Sequence, residues 1–142
     1  MFSIIIPLYN KELSIENTIH SVLNQCFQDF EILVVNDGST DNSVNVVEQI
    51  IDARIRLINQ TNQGVSAARN RGITEAQFDW IAFLDGDDLW FENHLTEVTK
   101  MITAFPAKRF FTTSFKSSDN RRLSKHKRHS TIFKVENYFK EA

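Results

Sequence analysis

The chain has 142 residues, of which 42% are hydrophobic and 24% charged, and this composition predicts one globular domain with an apolar core. Its single cysteine, Cys26, excludes an internal disulfide and a zinc cluster built from cysteines, and it favours a reducing, cytoplasmic setting. The sequence contains neither an apolar stretch of about 20 residues, which a membrane span requires, nor the basic N-terminal region of a signal peptide.

The first sixty residues alternate apolar strands with amphipathic helices. Phe2–Ile6 is a β-branched run that predicts a buried strand ended by Pro7. Ser14 is the predicted N-cap of a helix that closes at Gln25 and Cys26. The remaining elements of this half are the strand Glu31–Val35, the turn Asn36–Asp41, a helix capped by Asp41 or Thr40 with Val44, Val47, Ile50 and Ile51 on one face, and the strand Arg54–Ile58.

The same alternation continues towards the C-terminus. The predicted elements begin with a helix over Val65–Glu75, a strand over Trp80–Leu84, and a helix that ends near Pro106 and carries Phe91, Leu95, Val98, Met101 and Ile102. A strand over Arg109–Phe115 follows, with an antiparallel edge position as one option, and then an exposed loop or hairpin connection over Ser117–Ser130. The last predicted elements are a strand at Thr131–Phe133 and the start of a helix in Val135–Ala142. This order predicts an α/β fold, a three-layer α/β/α sandwich with a mostly parallel sheet.

Three polar segments follow directly after predicted strands: Pro7–Asn10, Asn36–Ser39 and Asp85–Asp88. Because the carboxyl ends of parallel strands share one edge of a sheet, the three loops are expected to meet at one crevice. Tyr9 offers a flat face on which a base can stack, and Asp37 offers an acceptor for a base imino proton. Crowded carboxylates need a neutralising partner, and a hard divalent cation that also holds substrate phosphates is the usual one.

Each of these segments also has an ordinary structural explanation. Asp37 and its neighbours match common turn chemistry, Tyr9 is compatible with simple packing, and Asp87 or Asp88 can cap the following helix. The capping explanation accounts for one carboxylate and leaves two others unexplained. An EF-hand is excluded, because the positions after Asp85 and Asp87 lack the oxygen ligands and the glycine of that loop.

Four motifs in a fixed order resemble those of the inverting family 2 glycosyltransferases with the GT-A fold, and the resemblance covers about residues 2–106. They are Ser3–Asn10 (SIIIPLYN), Val34–Asp41 (VVNDGSTD), Asn62–Gly72 (NQGVSAARNRG) and Phe83–Asp88 (FLDGDD). Together the four ordered motifs are much more specific than the last one alone.

The resemblance implies a role for individual residues. Tyr9 and Asp37 would hold the nucleotide base, commonly uracil, in a pocket that Pro7 shapes, and Glu12 matches a frequent acidic position. Arg69 would be the positive contact of the segment that borders the nucleotide sugar, residues 62–70, which includes Gly64. In the D-x-D element formed around Gly86, Asp85 would face ribose or sugar hydroxyls and share the metal site, Asp87 would ligate Mn²⁺ or Mg²⁺, and Asp88 would support it.

The resemblance weakens towards the C-terminus. Inversion needs a base that accepts a proton from the attacking hydroxyl, and in this family the base is usually an acidic residue of the second half of the domain. The only acids after Phe115 are Asp119, Glu136 and Glu141, and none stands in a convincing match to the family's later motif. The catalytic base therefore stays unknown. We expect a single domain over 1–142 that is incomplete at its C-terminal end, with a nucleotide-sugar binding part over 1–106 and a partial acceptor part over 107–142.

Charge is distributed unevenly, although the formal net charge is only −2. Residues 1–106 carry six Lys/Arg against fifteen Asp/Glu, whereas residues 107–142 carry ten against three. The basic segment 121–128 predicts peripheral contact with anionic lipid at the inner face of the membrane, or with a lipid-linked or saccharide acceptor, and a plain solvated loop is the alternative. Nucleic acid is not expected as a partner, because the rest of the chain is acidic and no nucleic-acid motif is present.

The predicted function is metal-dependent, inverting transfer of a sugar from a nucleotide diphosphate, with UDP as the expected carrier and polysaccharide synthesis as the family-level setting. Two alternatives stay open. A nucleotidyltransferase also needs a metal and a nucleotide pocket, but a Gly-rich phosphate loop is missing from Pro7–Asn10. A non-catalytic nucleotide-sugar binding module would bind the nucleotide without turnover.

Overall fold

The computed structural model describes residues 1–114 and 129–134. Its elements are β1 (Phe2–Leu8), α1 (Ile15–Leu23), β2 (Phe30–Asp37), α2 (Ser43–Glu48), β3 (Ile55–Gln60), α3 (Val65–Glu75), β4 (Trp80–Phe83), α4 (His94–Ala104), β5 (Phe110–Ser114) and β6 (His129–Lys134). The basic segment 121–128 and the helix predicted in 135–142 lie outside the described residues. None of the helices in the described part of the chain is long and apolar enough to cross a membrane.

The strands form one six-stranded sheet in the order β3-β2-β1-β4-β6-β5. Strands β1 to β4 are parallel, β6 runs antiparallel to β4, and β5 forms the edge antiparallel to β6. The mostly parallel sheet and the antiparallel edge position of β5 are therefore confirmed. The segment Thr131–Phe133 does rejoin the sheet, but β6 already begins at His129, so the last two residues of the predicted loop belong to a strand.

Helices cover both faces of the sheet, and strand alternation assigns the core residues to each face. On β1, Ile4 and Ile6 belong to the larger apolar cluster, which also contains buried residues of α1, α2 and α4. Ile5, between them, belongs to a second cluster with Ala68 and Ile73 of α3. The three-layer α/β/α architecture expected from the sequence is confirmed.

The helix α3 approaches β1 closely because it carries Gly72 at the contact. A Cβ atom at this position would lie 2.5 Å from the Cγ2 atom of Ile5, whose side chain is fully buried. A larger side chain would have to displace a core residue of a central strand. This close contact sets the distance between the C-terminal half of α3 and β1.

Pro7 does not end the first strand, contrary to the expectation from sequence. It continues β1 and pairs in register with Val35 of β2, although β1 is a central strand. The Ile5 carbonyl accepts a hydrogen bond from the backbone N–H of Leu84, so the polar groups of residue 7 point to the same side, where pairing with β4 has ended after Ile5. The missing N–H of Pro7 therefore interrupts no ladder bond.

Two helices differ in length from their predicted bounds. The helix α2 ends at Glu48, which leaves Ile51 on the surface with 99% of its area exposed, and its N-cap is Asn42 rather than Asp41 or Thr40. The helix α4 begins at His94, so Phe91 precedes it and is largely exposed. In both cases an apolar residue fits the helical period but lies outside the helix, Ile51 after the end of α2 and Phe91 before the start of α4.

Candidate active site

The loops that follow β1 and β2 are joined by hydrogen bonds at the carboxyl edge of the parallel strands. The Asn10 N–H donates to the Ser39 Oγ at 3.1 Å, and the Thr40 N–H donates to the Asn10 Oδ1 at 2.8 Å. Tyr9, the residue predicted to stack on a base, precedes Asn10 and is 47% exposed. A half-exposed tyrosine therefore directly precedes the residue that binds the loop after Asp37.

Asp37 lies at the end of β2 and is buried, with 3% of its area exposed. Its Oδ1 accepts hydrogen bonds from the Gln60 side-chain amide and from the Gln63 N–H, and its Oδ2 accepts one from the Gly64 N–H, all at 2.8 Å. Burial by itself would raise the pKa of Asp37, but these three hydrogen bonds outweigh it and hold the pKa below its usual value. The carboxyl group is therefore an ionised acceptor, and one lone-pair position on Oδ2 remains for a further donor.

Two glycines with positive φ shape the contact between the loops after β2 and β3. Gly38 has φ 72°, and a Cβ atom there would lie 2.9 Å from the backbone nitrogen of Asn62. Gly64 has φ 90° at the start of α3 and presents its N–H to Asp37. A side chain at either position would strain the backbone that closes around the Asp37 carboxylate.

Glu12 is engaged by the loop that precedes α2. Its carboxylate accepts the Asn42 N–H at 2.8 Å, and its own N–H donates to the Asp41 Oδ2 at 3.1 Å. The Asp41 carboxylate also accepts the N–H and the hydroxyl of Ser43. Glu12 thus joins two loops of the candidate site, and its contact with a nucleotide sugar stays a prediction.

Asp85 and Asp87 each pair with a cation that comes from another part of the chain. The Arg69 guanidinium of α3 lies 2.5 Å from the Asp85 Oδ1, and the Lys11 Nζ lies 2.6 Å from the Asp87 Oδ2. The two aspartate side chains are 46% and 45% exposed, so both also reach solvent. Each of the two acids of the D-x-D element is therefore paired with a cation of the chain itself.

Gly86 lies between the two aspartates and is buried against β1 and the start of α1. A Cβ atom at Gly86 would lie 3.3 Å from the Pro7 carbonyl oxygen and 3.4 Å from the Lys11 Cγ. The Ser14 hydroxyl donates to the Gly86 carbonyl at 2.8 Å. These contacts dock the loop that follows β4 onto the loop that follows β1, and they leave Asp85 and Asp87 on its outer side.

The donor set at this edge suits a cation that shares its ligands with phosphate. Among residues 1–114 and 129–134, no three side chains of His, Cys, Asp or Glu converge as a complete protein site for a metal ion. Mg²⁺ is typically held by one or two carboxylates, with substrate phosphates and water completing the shell. Asp85 and Asp87, both half-exposed, fit that pattern and do not fit a closed structural site.

Two further residues of the site were not found from the sequence. Lys11 follows Asn10, but its partner Asp87 is 76 residues away in the chain, and no local pattern indicates the pair. Gln60 ends β3 directly beside Asp37, with which it is in register. The adjacency of the two strand ends could have indicated Gln60, because neighbouring parallel strands of similar length end side by side.

Beyond Asp88, the loop leads into a ring pair of buried Trp90 and partly buried His94, which makes folding sensitive to pH. The rings of Trp90 and His94 stack with centroids 4.3 Å apart, and neither the Trp90 Nε1 nor the His94 Nε2 has a hydrogen-bond partner among the described residues. Burial lowers the pKa of His94 to about 4. The imidazole is therefore neutral in the folded chain at neutral pH.

We expect the free energy of unfolding to fall by about 2 kcal/mol between pH 7 and pH 4.5, because over this range the unfolded chain binds a proton at His94 that the folded chain does not. Stability is highest above the unfolded pKa and is lost as pH falls towards the folded value. Urea unfolding across this range measures the loss. His94→Gln should flatten the dependence, whereas the matched variant His20→Gln, at an exposed histidine of α1, should leave it unchanged. An equal slope in wild type and His94→Gln would contradict the assignment.

The family model for glycosyl transferase family 2 matches residues 3–142. The chain belongs to this family. Among curated relatives, the uncharacterized glycosyltransferase EpsJ of Bacillus subtilis is 50% identical over 90 residues, which are 62% of this chain and 26% of that protein. The Escherichia coli enzyme named UDP-Glc:alpha-D-GlcNAc-diphosphoundecaprenol beta-1,3-glucosyltransferase WfgD is 43% identical over 96 residues, 67% of this chain and 38% of that protein.

Solved structures of glycosyltransferases share the fold. S. aureus TarS 1-349 in complex with UDP-GlcNAc matches with a TM-score of 0.79 and 27% identity, over 87% of this chain and 36% of that one. The mannosyltransferase PcManGT of Pyrobaculum calidifontis, in complex with GDP-Man and Mn²⁺, matches with a TM-score of 0.71 and 26% identity, over 77% of this chain and 34% of that one. The chain spans only about a quarter to a third of the length of the first curated relatives it matches.

Proposed function

We propose that this chain is the donor-binding part of a metal-dependent, inverting glycosyltransferase that uses a UDP-sugar. The observation that carries the proposal is the junction of three loops at one sheet edge: the loop with Tyr9, the loop after Asp37, and the loop with Asp85 and Asp87. Hydrogen bonds and an ion pair join the first loop to each of the other two. The family membership and the UDP-sugars named for two similar proteins support this proposal.

Asp37 and Tyr9 are the proposed contacts of the nucleotide base. The ionised Asp37 carboxylate keeps one free lone-pair position, which suits the imino N–H of uracil. Tyr9 supplies an exposed aromatic face on the adjoining loop, and stacking on such a face stabilises any base without selecting among bases. Selectivity for uracil therefore rests on Asp37, whose orientation is held by the Gln60 side chain and the backbone N–H groups of Gln63 and Gly64.

Asp87, with Asp85, is the proposed holder of Mn²⁺ or Mg²⁺. When bound, the cation would offset the negative charge that develops on the departing nucleoside diphosphate. The chain's own residues orient the carboxylates: Gly86 packs against β1, and the Ser14 hydroxyl holds its carbonyl. Arg69 keeps Asp85 in place and adds positive charge where the phosphates and the sugar are expected.

The proposed acceptor follows the one named for a relative. The name of the relative WfgD specifies a sugar acceptor on a diphosphoundecaprenol lipid, and a saccharide or lipid-linked acceptor hydroxyl is the proposed acceptor here. Peripheral attachment to the inner face of the membrane through 121–128 belongs to the same proposal. Inversion requires a base that removes the acceptor proton, and this residue is not assigned within the described residues.

Calorimetric titration of the full 142-residue chain with nucleoside diphosphates tests the proposed function. We expect UDP to bind in the presence of Mn²⁺ at least about tenfold more tightly than without it, since the shared cation replaces phosphate–carboxylate repulsion with attraction. GDP, the nucleotide part of the donor held by PcManGT, serves as the competing base and should bind more weakly. Equal binding of UDP with and without Mn²⁺, or no binding under either condition, would contradict the proposal.

A further inference from the structure

Lys11 occupies an unusual position for the only lysine among the first 99 residues. This part of the chain is strongly acidic, yet the ammonium group of its one lysine lies 2.6 Å from Asp87, the proposed metal ligand. The pair joins the loop after β1 to the loop after β4, across 76 residues of sequence. A divalent ion that binds Asp87 must compete with this ammonium group for the same carboxylate.

We propose that Lys11 exchanges partners when the donor binds: it neutralises Asp87 in the free protein, and it pairs with a diphosphate oxygen of the nucleotide once the cation takes Asp87. The inference rests on the proposed function. It assigns to Lys11 a role in coupling, such that the cation and the nucleoside diphosphate each strengthen the binding of the other. By linkage, the two effects must be equal in size.

The geometry of Lys11 allows such an exchange. Its backbone is fixed, because its N–H donates to the Ser43 Oγ at 2.7 Å and its carbonyl accepts the N–H groups of Ser14 and Ile15. Its side chain is 38% exposed and carries the charge at the end of a flexible four-carbon stem. The ammonium group can therefore leave Asp87 for a neighbouring anion while the loop keeps its conformation.

Arg69, the other cation of the site, is held more firmly. Its guanidinium lies over the Phe83 ring, 5.6 Å from the ring centroid, and its Nε is buried. A planar guanidinium packed in this way has less freedom to change partners than a lysine ammonium. The two cations therefore differ in kind: Arg69 is a fixed positive charge beside Asp85, and Lys11 is a movable one beside Asp87.

The exchange should affect the affinity for the ion and the affinity for the nucleotide in opposite directions. In the free protein, the Lys11–Asp87 pair lowers the affinity for a divalent ion alone, since the ion must first displace an ammonium group. With a diphosphate present, the displaced Lys11 ammonium pairs with a phosphate oxygen, and this new pair compensates for the lost pair with Asp87. Lysine at this position should therefore weaken binding of the ion alone and strengthen binding of the nucleotide in the presence of the ion.

Lys11→Met tests this inference, because methionine keeps an unbranched side chain and removes the charge. We expect Mn²⁺ alone, measured from the free-ion signal in electron paramagnetic resonance, to bind about two- to fivefold more tightly, as loss of a half-exposed ion pair implies. UDP at saturating Mn²⁺, measured by calorimetry, should bind about three- to tenfold more weakly, since one charge-assisted contact with phosphate is lost. The two affinities must change in opposite directions.

Lys100→Met is the matched control, because Lys100 forms a comparable exposed pair with Glu97 on α4, 2.8 Å long. This variant should leave both affinities unchanged, and Lys11→Arg should restore weak binding of Mn²⁺ alone. If wild type binds UDP with Mn²⁺ but Lys11→Met changes neither affinity, or changes both in the same direction, the inference is wrong and the proposed function stands. If wild type does not bind UDP at all, the proposed function falls and the inference falls with it.

Discussion

Replacing Asp37 with alanine is expected to lower the free energy of unfolding by about 1–3 kcal/mol, because its buried carboxylate is the shared acceptor of three part-buried hydrogen bonds. Two of the donors, the N–H groups of Gln63 and Gly64, belong to the backbone of exposed residues, so water can replace part of the lost bonding. Urea unfolding at neutral pH measures the loss. The matched variant Asp79→Ala, at an exposed acid before β4, removes the same charge and should shift stability by less than about 0.5 kcal/mol.

The same substitution should distinguish the contact with the base from the contact with the metal ion. We expect Asp37→Ala to weaken UDP binding at least about tenfold, because an ionised, buried acceptor for the uracil imino group is lost. The ratio of UDP affinities with and without Mn²⁺ should stay as in wild type, since Asp85 and Asp87 are untouched. Binding is measured under conditions where the variant is folded. Unchanged UDP affinity in the folded variant would remove Asp37 from the base pocket.

The alternating apolar pattern was enough to predict most of the sheet and one helix in full. Val65–Glu75 was predicted with the bounds that the structure has, because a polar loop ending in Gly64 precedes it and a new apolar run follows at Trp80. The four parallel strands follow from the same alternation of strands and helices. Local sequence carries this information, since each element needs only its own apolar period and its flanking residues.

The order of the last strands could not be read from the sequence. β6 pairs with β4 and separates it from β5, although β5 comes earlier in the chain. The apolar pattern of Phe110–Ser114 indicates a strand but does not say which neighbour it will pair with. Pro7 shows the same limit, because whether a proline is tolerated in a strand depends on where the neighbouring strand ends.

Within the candidate site, residue types were predictable and their partners were not. The sequence indicated that Asp37, Asp85 and Asp87 gather at one edge, because each follows a predicted strand. It did not indicate that three chain donors hold Asp37, or that Lys11 and Arg69 pair with the other two acids. Those contacts join positions far apart in the chain, so only the packed fold brings them together.

Asp87→Ala is expected to abolish most of the gain in UDP affinity that Mn²⁺ provides, and to lower affinity in the presence of Mn²⁺ at least about tenfold. Without Mn²⁺, the substitution should not weaken UDP binding. The substitution frees Lys11 from its 2.6 Å pair, so UDP should bind the metal-free variant as tightly as wild type or more tightly. Calorimetric titration with and without Mn²⁺ measures both affinities, and Asp79→Ala is again the control for loss of one acidic charge.

The variants Asp37→Ala and Asp87→Ala should therefore differ in how their UDP affinity depends on Mn²⁺, if the site is assembled as proposed. The first should lower UDP affinity by a similar factor with and without Mn²⁺, because the base contact does not depend on the cation. The second should lower UDP affinity only when Mn²⁺ is present, because its loss concerns the cation and the phosphates alone. A general loss of structure would reduce binding under both conditions in both variants. An equal gain from Mn²⁺ in wild type and Asp87→Ala would show that this carboxylate does not hold the cation.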